Sequence, residues 1–187
     1  MSVAAVVQHV GPWTLDDVLA LPEDIHHRIE LLGGVLLLSP HPDVPHQRAG
    51  SRLAALLTAA IEACAAPLEV LPAVNLVVPD GLLIPDLVVA DTTAAATADL
   101  TLRDRDVLLA IEVTAPSTRV ADTALKSALY ATAGIPYYWR LELEPAPRLH
   151  LGHLEDGVYV DRLVQAGEST ALTDPLPLDI DPAVLRR

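Results

Sequence analysis

Residues 108 to 118 read LLAIEVTAPST, and one glutamate, Glu112, interrupts an otherwise apolar run. The run has the length and composition of a buried strand, and the APST that follows breaks it. A carboxylate in such a strand is costly unless it protonates or meets a positive group, so the partner of Glu112 is the first thing to find. The fuller strand DVLLAIEV, residues 106 to 113, is apolar almost throughout. That pattern is expected where both faces of a sheet are covered.

Working outward, a helix is expected from about Val120 to Ala133, ended by Gly134. PYYWRLEL, PRLHLGHL and VYVDRLV then read as three strands, the last two joined by Glu155-Asp156-Gly157. Upstream, residues 68 to 90 hold the β-rich runs LEVL, AVNLVV and LLIPDLVVA, with Pro79-Asp80-Gly81 as the turn between the last two. HHRIELLGGVLLLSP reads as a hairpin, with strands at about 27 to 32 and 35 to 39 around Gly33-Gly34. Between these regions, apolar residues at 49, 53, 56, 57, 60, 61 and 64 mark one face of a long helix. Thr14 and Asp17 begin a short capped helix that Pro22 ends. Residues 91 to 105 read as a surface loop, and the Pro-rich tail from 168 to 187 as a segment wrapping the surface. The expectation is an α/β fold, a mixed β-sheet flanked by helices, in a single domain of residues 1 to 187 with its core at about 13 to 164.

At 51% hydrophobic and 20% charged the chain has the composition of a folded globular protein. It has no apolar run of the roughly 18 to 20 residues that a membrane helix needs. MSVAAVVQHVGPW lacks a basic start before an apolar core, so a soluble, cytoplasmic protein is expected. Cys64 falls at an apolar helix position and is expected in the core; one cysteine allows no disulfide within the chain. The net charge of −13 opposes any broad attraction to nucleic acid, so a DNA-binding reading must rest on a local patch.

Two more carboxylates share the setting of Glu112. Asp86 sits inside LLIPDLVVA, after a proline that cannot donate a ladder hydrogen bond, and Glu30 sits inside HRIELLGG. On neighbouring strands the three can converge at one end of a sheet and share a divalent cation. A metal would keep the cluster ionised and could activate water for phosphodiester cleavage. A nearby lysine would stabilise the transition-state charge, and Lys126, the chain's single lysine, lies in the helix after the Glu112 strand. Asp122, four residues before Lys126, also allows the plainer reading of an i, i+4 ion pair.

Glu30 in RIELLGG, Ser39-Pro40, His46 in PHQRAG, Pro85-Asp86 in IPDLVVA, IEVTAPST at 111 to 118, Asp122 and Lys126 in ADTALKSALY, and GIPYYW at 134 to 139 form an ordered set. Together they resemble the Uma-two family, described as putative restriction endonucleases, of the PD-(D/E)XK nuclease superfamily. The resemblance runs from about Trp13 to Val164. It implies a restriction-endonuclease-like core and Mg²⁺ or Mn²⁺ as cofactor, with Asp86 and Glu112 as metal ligands, Glu30 as the additional acidic residue and Lys126 as the basic one. One departure stands out: two residues after Glu112, where the superfamily motif carries lysine, this chain has Thr114. The resemblance implies that Lys126 supplies that charge from the following helix.

Other residues have two readings each. His46 can reach the site as a proton shuttle or substrate contact, or serve as a helix cap. Arg48, Arg52 and Arg119 can supply a phosphate-binding patch or pair with carboxylates. His26 and His27 point to opposite faces of a strand, so at least one is expected in solvent. Tyr137, Tyr138 and Trp139 are expected in core packing or a subunit contact, and Ser117 and Thr118 in a turn or cap. The leading expectation is a metal-dependent endonuclease acting on DNA phosphodiesters, as a homodimer. Its alternatives are a nuclease-fold binding or regulatory module with weak or no cleavage, and acidic residues that are purely structural. A basic groove reaching the carboxylates favours cleavage; an acidic surround favours the module.

Overall fold

The computed structural model describes residues 9–22, 27–114 and 121–186, and of residues 121–123 only the backbone. The expected positions His26, Ser117, Thr118 and Arg119 and the side chain of Asp122 lie outside the described residues. The first helix, α1 (Leu15–Leu19), opens on a capping box: the Thr14 hydroxyl accepts from the Asp17 amide while the Asp17 carboxylate accepts from that of Thr14. A hairpin follows, β1 (His27–Leu32) and β2 (Val35–Pro40). Its turn residues Gly33 and Gly34 both lie at positive φ, 55° and 82°, as a tight two-residue turn demands. The long helix α2 (Val44–Cys64) is capped by Asp43 and buries Ala49, Leu53, Leu57, Ala60 and Ile61, the stripe its sequence spacing predicts.

Beyond it come β3 (Leu68–Pro72), β4 (Asn75–Val78), β5 (Gly81–Leu83) and β6 (Leu87–Asp91). Helix α3 (Thr92–Thr97), strand β7 (Thr101–Arg103) and a 3₁₀ turn at Asp104–Asp106 lead into β8 (Val107–Thr114), the Glu112 strand. A π-helical segment, Ala121–Lys126, runs into α4 (Ser127–Thr132). The rest is β9 (Tyr137–Glu142), β10 (Arg148–Glu155), β11 (Val158–Gln165), β12 (Thr170–Leu172), β13 (Leu178–Ile180) and α5 (Ala183–Arg186).

The described strands form a six-stranded sheet of order β11-β10-β9-β8-β6-β3, a five-stranded sheet of order β2-β1-β5-β4-β7, and the small pair β12-β13. Strands β8 and β9 run parallel, so the chain between them crosses over the sheet and brings the π segment and α4 with it. Successive side chains of β8 serve two cores. Leu109, Ile111 and Val113 pack with α2 on one face. Ala110 packs with Tyr130, Tyr138 and residues of the five-stranded sheet on the other. Both faces are therefore covered, which accounts for the unbroken apolar run, and Glu112 points to the second face.

The structure departs from the sequence reading at four places. LLIPDLVVA is two strands in two different sheets, β5 and β6, and Pro85-Asp86 is the passage between them. Pro85 has no amide to continue a ladder, which is why the sheet changes there. Residues 91 to 105 form α3, β7 and the 3₁₀ turn rather than a loop; Asp91 caps α3 through the amide of Ala94. The tail is part of the core, with Leu172, Leu176, Ile180 and Leu185 buried against α2 and β10. Cys64 is exposed, because it closes the last turn of α2 just before the left-handed Ala65. No described helix is long and apolar enough to cross a membrane.

Candidate active site

Where the chain passes from one sheet to the other, Asp86 meets the Glu112 strand: the amide of Val113 donates to Asp86 Oδ2 at 2.8 Å. The passage thus sets two carboxylates side by side, one held by the backbone next to the other. Asp86 Oδ1 accepts from Arg28 Nη1 at 2.6 Å, and Oδ2 lies 3.0 Å from His46 Nε2. Burial works to raise the Asp86 carboxyl, but the hydrogen bond and charge of His46, the charge of Arg28 and the Val113 amide together hold it below the ordinary carboxylate value. His46 sits in the first turn of α2, where its own amide donates to the Asp43 cap, so it serves the helix end and reaches Asp86 as well.

Glu112 is buried, and its Oε1 accepts from Lys126 Nζ at 2.9 Å and from the Tyr130 hydroxyl at 2.8 Å. The ammonium also lies 3.1 Å from Glu30 Oε1, which in turn accepts from the amide of Ile84 at 2.8 Å. Lys126 is 6% exposed, so this is a charge taken out of water between two carboxylates. The tolerated charge in β8 therefore has its answer in a helix of the β8-to-β9 crossover. Lys126 and Tyr130 are four residues apart and share a helical face, which is why both reach one oxygen. The tyrosine is fully buried against Tyr138, 5.0 Å between ring centroids. Burial, then the charges of Glu112 and Glu30, push its hydroxyl well above the ordinary tyrosine value, so it stays a donor.

Of the residues singled out from the sequence, Glu30 and Glu112 share Lys126, while Asp86 meets His46 together with Arg28. The amide of Val113, next in the chain to Glu112, joins the two groups. Arg48 is exposed on α2, and no described contact joins it to either group. Arg52 is spent on structure, donating to the carbonyl of Val184 and tying α2 to α5. Sequence reasoning passed over Arg28 and Tyr130. Each carries a signal in retrospect: Arg28 is two residues before Glu30 on the same strand face, and Tyr130 is one helical turn beyond Lys126.

A family model described as Uma2, putative restriction endonuclease, matches residues 15–184. The chain belongs to the Uma2 family. Its fold is that of a crystal structure described as a putative nuclease belonging to DUF820 from Anabaena variabilis. The two share a TM-score of 0.72 at 16% identity, over 94% of this chain and 100% of that one. Among curated proteins no match was found. The mixed α/β, nuclease-like fold expected from the sequence is the fold observed. In this Uma2 chain the residue two beyond Glu112, Thr114, is buried and turns its hydroxyl to the carbonyl of Leu141 at 3.4 Å. It holds β8 to β9, and the cation beside Glu112 is that of Lys126.

Proposed function

We propose that this chain is a metal-dependent endonuclease that hydrolyses DNA phosphodiester bonds, with Mg²⁺ or Mn²⁺ as cofactor. The observation that carries the reading is the buried Lys126 ammonium shared by Glu30 and Glu112, one backbone amide away from Asp86. Among the described residues no group of three His, Cys, Asp or Glu side chains converges closely enough to hold an ion by itself. Asp86 and Glu112 nonetheless fit the need of a hard cation, which takes one or two carboxylates and completes its shell with water. Such an ion would supply an activated water and a counter-charge for the phosphate.

The chain's own residues do the rest. Glu112 is oriented by Lys126 and Tyr130, and Asp86 by the Val113 amide. Lys126 places positive charge where negative charge grows on the phosphate oxygens, which is the kind of donor whose loss costs about 10²–10³ in rate. Glu30 holds that ammonium at the site through its bond to the Ile84 amide. A second reading, a nuclease-fold binding module without cleavage, is favoured by one observation: both oxygens of Asp86 are already engaged, by Arg28 and by His46. A supercoiled-plasmid nicking assay with Mn²⁺ separates the two. Nicking by the wild type that disappears in Asp86→Asn and Lys126→Met supports the enzyme; no nicking by the folded wild type supports the module.

A further inference from the structure

Beside Asp86 a cleft of about 640 Å³ opens between α1, β1, the start of α2 and the β4-β5 strands. Arg28 joins the two places, since the guanidinium that bonds Asp86 belongs to a residue lining the cleft. Ile84 does the same from the other side, for its amide holds Glu30. The floor is apolar, Leu82 and Ile84, and the walls bring two imidazoles and two amides, His27, His41, Gln47 and Asn75. None of the described residues lining it is an Asp or a Glu, in a chain with 25 of them. An apolar, concave site of this size with a few convergent amides is the chemistry that seats a nucleobase: a face to lie on and groups for its hydrogen-bonding edge.

We propose that this cleft receives one unstacked nucleoside of the DNA strand being cut, next to the scissile phosphate, with Arg28 at its inner end meeting the phosphate between them. The inference rests on the nuclease reading and adds to it where the substrate lies and which arginine meets it. Arg28 takes the role that Arg48, exposed and apart from the carboxylates, does not fill. Asn75 is held ready, its amide nitrogen donating to the carbonyl of Leu100 at 3.1 Å.

Two exposed lining residues allow a test that leaves the acidic cluster untouched: Gln47→Glu and Leu100→Glu, with Gln165→Glu on the far strand β11 as the control for added charge. Duplex oligodeoxynucleotides carrying a fluorescent adenine analogue at successive positions are titrated with the full chain in Ca²⁺, and cleavage kinetics are measured in Mn²⁺. The wild type is expected to brighten the analogue at one position beside the cut. Both cleft variants are expected to lose that signal and to raise KM by about tenfold with kcat unchanged, the loss that follows from unseating one base. Gln165→Glu is expected to match the wild type. Cleft variants that bind and cut like the wild type, or an analogue that stays dark at every position while cleavage proceeds, overturn the cleft assignment and leave the nuclease reading standing. A wild type that neither binds nor cuts DNA overturns that reading and this one with it.

Discussion

Two groups of charges lie on the same face of the six-stranded sheet, and only one of them has the makings of a site. The outer group is Arg140 with Asp161 and Arg148 with Glu142, near His150. All five residues come from the neighbouring strands β9, β10 and β11. The inner group begins one strand away, for Glu112 and Arg140 are register partners in the parallel pair β8-β9. Both groups balance carboxylates against cations. Arg148 and Glu142 are cross-strand neighbours that any sheet can make, Arg140 and Asp161 meet across β10, and each pair has one partner reaching solvent, the side chains of Arg148 and Asp161 being 36% and 34% exposed. The inner carboxylates come from two sheets and a passage between them, all nearly out of contact with water; Glu30 and Glu112 converge on a lysine from a crossover helix, while Asp86 is held beside them by Arg28, His46 and the Val113 amide. Balanced charge is therefore a poor guide to a site. Convergence of like charges from separate elements on one shared cation is the better one.

This contrast can be broken by matched substitutions. Lys126→Met leaves Glu30 and Glu112 buried without their shared cation, and should cost about 3–5 kcal/mol of stability by thermal or urea melts. The same change should cut nicking by about 10²–10³, and added Mn²⁺ should recover part of the stability. Arg148→Met breaks a pair whose arginine is 36% exposed although Glu142 is buried, and should cost about 1–3 kcal/mol, less than Lys126→Met because one carboxylate rather than two loses its cation, with nicking unchanged. Equal penalties for the two would erase the distinction drawn between the groups.

A finer pair compares two tyrosine hydroxyls. That of Tyr130 donates to the Glu112 carboxylate, and that of Tyr159 donates to the carbonyl of Ile135 at 2.7 Å. Tyr130→Phe should lose about 1.5–3 kcal/mol, the range for a bond to a charged group, and should weaken Mn²⁺ binding about tenfold because Glu112 loses an orienting partner. Tyr159→Phe should lose about 0.5–1.5 kcal/mol and leave Mn²⁺ binding as it was.

The smallest effect is a slope against pH in the outer group. Burial, then the charge of Arg140, lowers the His150 imidazole below its ordinary value, despite the opposing pull of Glu142 and Asp161. The unfolded chain therefore takes up this proton first. The stability linked to neutral His150 is present above the unfolded value near 6.5 and is lost as pH falls toward the lowered folded value. His150→Gln should flatten that part of the stability profile; an unchanged slope would assign it elsewhere.

Much of this architecture is legible in the sequence because hydrophobic period fixes strands and helices locally. The Gly33-Gly34 hairpin, α2 and the buried β8 strand are of that kind. Glu30, Asp86 and Glu112 are legible for the converse reason, as charges where the period calls for apolar groups, and Lys126 as the single lysine of the chain, placed in the helix after the Glu112 strand. What the sequence hides is long-range. That β5 and β6 belong to different sheets depends on pairings made far from Pro85, and the burial of Leu176 and Ile180 depends on α2, more than a hundred residues earlier. Arg28 and Tyr130 were missed because each sits at a position where its type is unremarkable. Only the placement of Asp86 and Glu112 gives them a purpose.

The central claim is that Asp86 and Glu112 form one cation site. Calorimetric titration of Mn²⁺ into the wild type, Asp86→Asn and Glu112→Gln tests it most directly, with melts on the same samples to establish that each is folded. Saturable binding by the wild type that both substitutions abolish is the expected result. A folded wild type that takes up no Mn²⁺, or binding that survives both substitutions, contradicts it and leaves Glu112 as a structural charge answered by Lys126 alone.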